Sequence, residues 1–302
     1  MEKLSIAVAI PTYLREAELV QTIAQVLDQN PPADEVLVID QTPKHLPSTS
    51  AALKAWDDQG KIHWIKMNNP NLPSARNQAL IKSVCDIMLF LDDDVLLADK
   101  NLVEKHRNLH TVNDIDAVCG QVLSRYGRAI DITNTEAIRQ GWSVTAAANI
   151  HTTGIPMLRG GHHSIRINIA KSVGGYDESL LGSAFAEDLD MAQRLDCNRI
   201  LTTSYCSLIH LAAPSGGCRV MGKTNPTPEW SKTVSAFVNI FRHSSRLPGF
   251  FSTWLKCALR AGPLRKEVVL KPWKWPWAWL NLFYAIFEGY KRAKSGIKSP
   301  FL

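Results

Sequence analysis

The chain lacks the patterns that mark small disulfide-rich, secreted or membrane-spanning proteins. Its six cysteines form no C-x-x-C pair, so neither a zinc knuckle nor a disulfide framework is indicated, and we expect a reducing, cytoplasmic setting. The short apolar stretch at the N-terminus ends at Pro11 without a cleavage-site pattern, which indicates a first strand and not a signal peptide. With 302 residues and no internal repeat, the chain is expected to form one large domain plus an appendage.

Acidic residues are scarce at one end of the chain. Residues 216–302 carry 15 Lys and Arg against three Asp and Glu, whereas residues 1–215 carry 19 against 25. Six of the nine tryptophans also lie in the basic part, namely Trp230, Trp254, Trp273, Trp275, Trp277 and Trp279. This division predicts a domain over residues 1–215 and a basic, helical extension over residues 216–302.

Short apolar runs alternate with helix-like stretches through the first half of the chain. This pattern is typical of an α/β fold, with a mostly parallel sheet and flanking helices. Strands are predicted at residues 6–10, 36–39, 62–65, 86–91 and 118–123. Helices are predicted at 15–28, 48–59, 73–83 and 185–195, and residues 125–155 are expected to be variable.

Three adjacent carboxylates, Asp92, Asp93 and Asp94, follow the apolar run at 87–91. Such carboxylates repel one another unless a cation or hydrogen-bond donors lie among them. Ligands of open α/β sheets bind outside the carboxyl ends of the strands, where Thr12-Tyr13 and Asp40-Gln41 are also expected. Because alternate residues of an extended segment share a face, we predict that Asp92 and Asp94 hold Mg²⁺ or Mn²⁺, in preference to a solvated acidic turn.

Glu187 and Asp188 stand at the start of the last predicted helix of this part. A carboxylate close to a metal-bound donor is a suitable base for a sugar hydroxyl, which is otherwise a poor nucleophile. Acidic residues in the first turn of a helix are also common as partners of its dipole. Both interpretations stay open for this pair on its own.

Three further signals are weak in isolation. His210 follows an apolar run and is either a metal ligand or an ordinary strand-end residue. Gly160-Gly161 indicates either close backbone approach to a ligand or a simple turn. Arg76 at a helix start either meets a base or phosphate or is a surface cation.

Taken together, six segments give a more specific signal than any one of them. In chain order they are IPTYLRE at 10–16, VLVID at 36–40, LPSARNQAL at 72–80, LFLDDDVLL at 89–97, GGYDESL at 174–180 and AEDLDMAQRL at 186–195. Their order and spacing resemble the family 2 glycosyltransferases over most of residues 4–212. The resemblance implies a GT-A fold, a nucleotide-sugar donor that is usually UDP-linked, a divalent metal and inversion at the anomeric carbon.

The resemblance also implies roles for matching positions. Thr12, Tyr13, Arg15, Asp40 and Arg76 would contact the uridine side of the donor, and Asp92, Asp93, Gly160 and Gly161 are further candidates for binding the nucleotide sugar. Asp94, Asp92 and His210 would form the metal and diphosphate site. Asp188 would be the general base, with Glu187 beside it.

The sequence departs from the family pattern at two places. Asp40-Gln41-Thr42-Pro43 stands where relatives often have Asp-Asp-Gly-Ser, which weakens the expected contact with the nucleotide base. His162-His163-Ser164-Ile165-Arg166 replaces Asn-Met-Ser-Phe-Arg, and we expect this loop to touch the donor sugar or the acceptor.

The basic extension contains an apolar, tryptophan-rich run at 273–287, followed by Lys291, Arg292, Lys294 and Lys298. The run is shorter than the roughly 20 apolar residues that span a bilayer. Tryptophan with nearby lysine favours the surface of an anionic membrane, so residues 273–298 are predicted either to bind such a surface or to cap the catalytic domain. No nucleic-acid-binding module is recognisable.

Three functions follow in order of preference. The first is a metal-dependent inverting glycosyltransferase that acts on a saccharide or lipid-linked hydroxyl, at the cytoplasmic face of a membrane if the tail binds one. The second is a non-catalytic protein of the same fold that binds a nucleotide or saccharide. The third is a sugar nucleotidyltransferase. We would expect such an enzyme to have a glycine-rich phosphate loop after the first strand, but no G-x-G-x-x-G occurs in the chain.

Overall fold

A computed structural model describes most of the chain: residues 3–112, 114–180, 184–217, 231–243, 255–256, 259, 264 and 266–302. Trp230 and Trp254, two tryptophans of the basic extension, lie outside the described residues.

One mixed sheet forms the centre of the molecule. Its strands are β1 (Ile6–Thr12), β2 (Glu35–Asp40), β3 (His63–Lys66), β4 (Ile87–Leu91), β5 (Val95–Leu96), β6 (Ala117–Ser124), β9 (His151–Thr152), β10 (His162–Arg166) and β11 (Ile200–His210); β7 (Ile130–Asp131) and β8 (Ala148–Asn149) pair separately. The order across the sheet is β3-β2-β1-β4-β10-β6-β11-β5, with β9 against β11. Strands β1 to β4 are mutually parallel, as are β6 and β11, whereas β10 runs antiparallel between β4 and β6.

Helices cover both faces of the sheet. They are α1 (Ala17–Leu27), α2 (Pro47–Asp58), α3 (Leu72–Lys82), α4 (Leu102–Val112), α5 (Asn134–Gln140), α6 (Ile167–Ser172) and α7 (Glu187–Ala192). Alternate residues of each strand enter two separate apolar clusters: Met88 and Phe90 pack with α3, while Leu89 and Leu91 pack with α1 and α4. This alternation is the two-residue period of a strand buried on both faces.

The predicted α/β architecture is confirmed, and the five predicted strands and the first three predicted helices lie within two or three residues of their predicted bounds. The prediction missed the strands β5 and β7 to β11 and the helices α4 to α6. β10 contains two histidines, a serine and an arginine among its five residues, so its burial leaves no apolar run in the sequence. The last helix, predicted over 185–195, is confined to Glu187–Ala192, because Ala184 and Ala186 adopt positive φ just before it.

Two helices of the basic extension pack together against the α/β part of the chain. The helix Ser231–His243 is buried on most sides, and the helix Trp275–Ser295 crosses it so closely that a Cβ on Gly289 would lie 2.5 Å from Phe237 Cβ. Their apolar residues share one cluster with Leu180 and Leu189. The division of the chain at residue 215 stays a prediction.

Candidate active site

The acidic triplet and His210 meet at the carboxyl end of β4. Nε2 of His210 lies 3.1 Å from Oδ1 of Asp94 and 3.6 Å from Oδ2 of Asp92. Asp92, Asp94 and His210 each offer a ligand atom, and these atoms all lie within 4.8 Å of one another. The structure therefore brings together the three residues that were predicted to hold a metal.

Strand pairing places His210 beside the triplet. β11 runs antiparallel to β5, with His210 opposite Val95, and the backbone N–H of Leu211 donates to the carbonyl of Asp94 at 2.9 Å. The N–H of Ala213 donates to Oδ2 of Asp94 at 2.8 Å. Residues more than one hundred positions apart are thus joined by backbone hydrogen bonds, which fix the imidazole against the carboxylate.

Asp93 binds residues at and just after the end of β1. Its carboxylate accepts a hydrogen bond from the Thr12 hydroxyl at 2.7 Å and one from Nε of Arg15 at 3.0 Å. The Arg15 guanidinium also lies 3.4 Å from Oδ2 of Asp94 and donates to the carbonyl of Ser215. Arg15 consequently bridges two of the three carboxylates and stabilises their closeness.

A cavity of about 190 Å³ opens beside these groups. Its lining contains Pro11, Thr12, Tyr13, Arg15, Gln41, Leu72, Asp92, Asp93, Asp94, His210 and Gly217. We call it the donor-side cavity, after the donor contacts that were predicted for Thr12, Tyr13 and Arg15. Gln41 and Leu72 were not on the predicted list, although Gln41 follows β2 and Leu72 begins the motif LPSARNQAL.

A second cavity, of about 580 Å³, adjoins the first. Asp92, His210 and Leu72 line both. The second cavity also contains Gly160, Gly161, Arg76, Glu187 and Asp188, together with an apolar wall that includes Trp142, Val144, Met157 and Phe185. We call it the acceptor-side cavity. Its apolar wall includes residues from the segment 125–155, which no local sequence pattern marked as functional.

Asp188 and Glu187 have different surroundings. Oδ2 of Asp188 accepts a hydrogen bond of 2.7 Å from the N–H of Gly160, and Asp188 is partly exposed in the cavity. Glu187 is buried and forms an ion pair with Arg76, whose guanidinium also donates to the carbonyl of Gly160 at 3.0 Å. Of the two, Asp188 has the access that a proton acceptor for a bound hydroxyl needs.

Gly160 and Gly161 lie so close to other side chains of the site that neither position has room for a Cβ atom. A Cβ on Gly161 would lie 2.2 Å from Oδ2 of Asp92, and one on Gly160 would lie 2.9 Å from the Arg76 guanidinium. Neither glycine has a positive φ, so the space around them, and not backbone conformation, requires the missing side chains. The two glycines form a turn closed by the hydrogen bond from the N–H of His162 to the carbonyl of Arg159, and approach of this turn to a ligand stays a prediction.

Two predicted nucleotide contacts lie elsewhere. Asp40 is fully buried and lines neither cavity; its carboxylate accepts hydrogen bonds from Trp64, Lys66, His45 and the backbone of Thr42. Arg76 lines the acceptor-side cavity and not the donor-side one. The free protein therefore holds both side chains in internal networks, and a contact of either with uridine stays a prediction.

The expectation for His162 and His163 is wrong as far as their side chains are concerned. Both are completely buried: His162 contacts His106 Nε2 at 3.0 Å, and His163 contacts the Tyr176 hydroxyl at 2.6 Å. Burial lowers the pKa of His162 to about 4 and that of His163 to about 3, so both are neutral core residues. In this segment only the glycines before them line a cavity.

The electrostatics of Asp92, Asp94 and His210 bear on the metal site that was predicted for them. Burial acts to raise the pKa of Asp94, but the hydrogen bond and charge of His210 outweigh it, and the pKa is lowered, so Asp94 is a carboxylate at neutral pH. Burial raises the pKa of Asp92, against the lowering effects of His210 and Arg76. Two carboxylate oxygens and one imidazole nitrogen are a donor set that fits Mn²⁺ or Mg²⁺.

The strand arrangement, the acidic triplet and the two adjoining cavities are the features of a glycosyltransferase with the GT-A fold. The family model of Glycosyl transferase family 2 matches residues 7–172, more than half of the chain. The chain belongs to this family.

Solved structures agree on the fold. TarS of S. aureus, residues 1–349, aligns with a TM-score of 0.66 at 16% identity over 97% of this chain and 83% of that one. The same protein in complex with UDP-GlcNAc gives 0.64 at 14% identity, covering 94% and 82%. The mannosyltransferase PcManGT from Pyrobaculum calidifontis, in complex with GDP-Man and Mn²⁺, gives 0.55 at 18% identity, covering 98% and 79%. No curated protein sequence matches the chain.

Proposed function

We propose that the protein is a metal-dependent inverting glycosyltransferase that uses a UDP-linked sugar and glycosylates a hydroxyl of a saccharide or lipid-linked acceptor. One observation carries the proposal: the cluster of Asp92, Asp94 and His210 lies where the donor-side and acceptor-side cavities meet, and Asp188 lines only the second. This arrangement matches a transfer between ligands that occupy neighbouring cavities.

The donor-side residues hold the nucleotide diphosphate. Asp92, Asp94 and His210 would bind Mn²⁺ or Mg²⁺, which when bound neutralises the negative charge that develops on the departing diphosphate. Arg15 and Thr12 keep Asp93 and Asp94 in place from the other side. UDP as the nucleotide is supported by the family resemblance, while the structurally similar proteins were solved with UDP-GlcNAc and with GDP-Man.

Asp188 acts on the acceptor. Its carboxylate takes the proton of the acceptor hydroxyl while the oxygen forms a bond to the anomeric carbon. The bond between that carbon and the diphosphate oxygen breaks, and its electron pair leaves with the nucleoside diphosphate. Attack from the face opposite the leaving group inverts the configuration. The Gly160 N–H fixes the Asp188 side chain for this step.

A panel of UDP- and GDP-linked sugars with Mn²⁺ and a mixture of saccharide acceptors tests the proposal. We expect one nucleotide to be released in an acceptor-dependent reaction, mass spectrometry to show an acceptor heavier by one sugar, and the NMR coupling of the anomeric proton to show an inverted linkage. Metal-dependent binding of UDP without transfer from any donor would instead support the non-catalytic alternative. Formation of a nucleotide sugar from a nucleoside triphosphate and a sugar phosphate would support the nucleotidyltransferase.

A further inference from the structure

The helix Trp275–Ser295 has two apolar faces: one packs against the helix Ser231–His243, and the other is exposed among the described residues. Leu282, Ala285 and Gly289 form the buried face and contact the helix Ser231–His243. Trp277, Leu280, Phe283 and Phe287 recur every three or four residues on the opposite side and are 58–70% exposed. We call these four residues the aromatic face. A helix whose only role is to cap a domain has polar residues there.

The aromatic face is large and continuous with further exposed aromatics. Trp273, just before the helix, is 70% exposed, and Trp279 and Tyr290 are exposed along one margin. Contiguous exposed apolar surface of this kind marks a binding surface in a soluble protein. The helical spacing places the four residues of the aromatic face on one side of the helix, so a single flat partner can reach them together.

Positive charge surrounds this surface. Lys271 and Lys274 precede the helix, and Lys291 and Lys294 extend the aromatic face at the other end by the same helical spacing; all four are exposed. Glu288 is paired with Arg292 at 2.8 Å, and after it the sequence contains no acidic residue. The partner that complements this arrangement is apolar inside and negatively charged at its surface.

We infer that the aromatic face, with its flanking lysines, docks the protein on the surface of an anionic lipid bilayer. Tryptophan and tyrosine favour the headgroup region, and lysines next to it are attracted to anionic lipids. None of the helices within the described ranges is both long enough and apolar enough to cross a membrane. An amphipathic helix that lies in the membrane interface needs neither property.

Docking at this face would also affect how an acceptor reaches its cavity. This part of the inference rests on the proposed function. The buried side of the same helix shares its apolar cluster with Leu189 and Trp142, which line the acceptor-side cavity. The membrane-facing helix and the cavity wall are therefore parts of one packed unit. An acceptor carried on a lipid would meet the cavity from the surface on which the enzyme sits.

Vesicle sedimentation with the full chain tests the inference. Vesicles of phosphatidylcholine alone are compared with vesicles of phosphatidylcholine and phosphatidylglycerol in equal parts. We expect strong binding only to the second, weakened by salt. The double variant Phe283→Ser/Phe287→Ser should lower the partition coefficient about tenfold or more, since each ring contributes apolar transfer energy. Lys291→Glu/Lys294→Glu should lower it in the anionic vesicles only.

Matched controls separate docking from folding. Tyr126→Ser removes an aromatic ring that is 89% exposed in the catalytic part, and it should bind vesicles like the parent chain. Nucleotide release with a water-soluble acceptor and the far-ultraviolet circular dichroism spectrum should be unchanged in the phenylalanine variant. A failed transfer assay with intact vesicle binding would count against the proposed function and not against docking.

Three outcomes would overturn the inference. The first is equal or absent binding to both kinds of vesicle. The second is binding that the phenylalanine substitutions leave unchanged and that RNA or heparin competes away, which would indicate a polyanion partner. The third is a dimer, seen by light scattering without vesicles and lost in the phenylalanine variant, which would show that a second copy covers the face.

Discussion

The backbone N–H of Gly160 donates a hydrogen bond of 2.7 Å to Oδ2 of Asp188. The two residues come from different segments, one before β10 and one in α7, and Arg76 joins them again by donating to the Gly160 carbonyl while pairing with Glu187. The position of the Asp188 carboxylate, the candidate base, thus depends on the backbone at Gly160, where a side chain has no room.

Gly160→Ala tests this dependence. The added methyl group would lie 2.9 Å from the buried Arg76 guanidinium, so Arg76 and its ion-pair partner Glu187, the residue next to the candidate base, have to shift. We expect turnover to fall about tenfold to a hundredfold, because small displacements of catalytic groups have effects of this size. Titration of UDP with Mn²⁺ should show unchanged affinity. Unchanged turnover would disprove the positioning role of the glycine.

Asp188→Asn removes the proton acceptor and keeps its shape. Turnover should decrease by about 10²- to 10⁴-fold, the range of general-base catalysis, with donor affinity retained. Steady-state assays of nucleotide release measure this. Glu136→Gln, an acid on the exposed surface of α5, is the control and should be fully active. Full activity of Asp188→Asn would exclude it as the base.

Asp94→Asn replaces one of the three predicted metal ligands. Substituting even an outer-shell partner of a metal site typically costs about 10- to 100-fold in affinity or activity, so we expect at least that increase in the Mn²⁺ concentration for half-maximal rate. Asp58→Asn changes an exposed acid in a surface pair with Lys54 and should have no effect. A rate that chelator does not reduce would refute metal dependence.

Asp190 connects α7 to the basic extension and gives a pH-dependent prediction. Its fully buried carboxylate lies 2.9 Å from His243 Nε2, 3.2 Å from the Arg242 guanidinium and 3.0 Å from that of Arg194. Burial would raise its pKa, but His243 and the two arginines outweigh it and hold the pKa well below the usual range. Asp190→Asn should therefore lower the free energy of unfolding by about 3–5 kcal/mol at pH 7.

The sign of the pH effect follows from that lowered pKa. The stabilisation by Asp190 is complete above its unfolded pKa of about 4 and is lost as the pH falls toward its folded pKa. Urea unfolding of both proteins at neutral and at acidic pH should give curves that converge only in acid. A constant difference between the two curves would mean that the carboxylate charge contributes nothing.

The sequence was sufficient for the parts of the fold that local patterns encode. Apolar runs located β1, β2 and β4, and the acidic triplet lies at the carboxyl end of β4 as predicted. The elements that could not be predicted from the sequence depend on contacts between distant segments. The antiparallel β10 is built mostly from polar residues whose partners, such as Gln121 and His106, lie at sequence positions that no local rule connects.

The same limit applies to the site. From the sequence, Arg76 was expected to be a surface cation or a phosphate-binding one. It is instead buried and paired with Glu187, because the fold brings α7 against α3. Trp142 and Phe185 carried no signal, since an apolar cavity wall only exists once the chain has folded. Family resemblance correctly indicated His210 as a neighbour of Asp94, which spacing alone left undecided.

Crystals grown with Mn²⁺ and UDP provide the most direct measurement of the central claim. Anomalous diffraction at the manganese edge should show one ion in contact with Asp94 and His210, with the diphosphate on its other side in the donor-side cavity. Bound UDP without any anomalous peak among these residues, or a peak held elsewhere, would contradict the account.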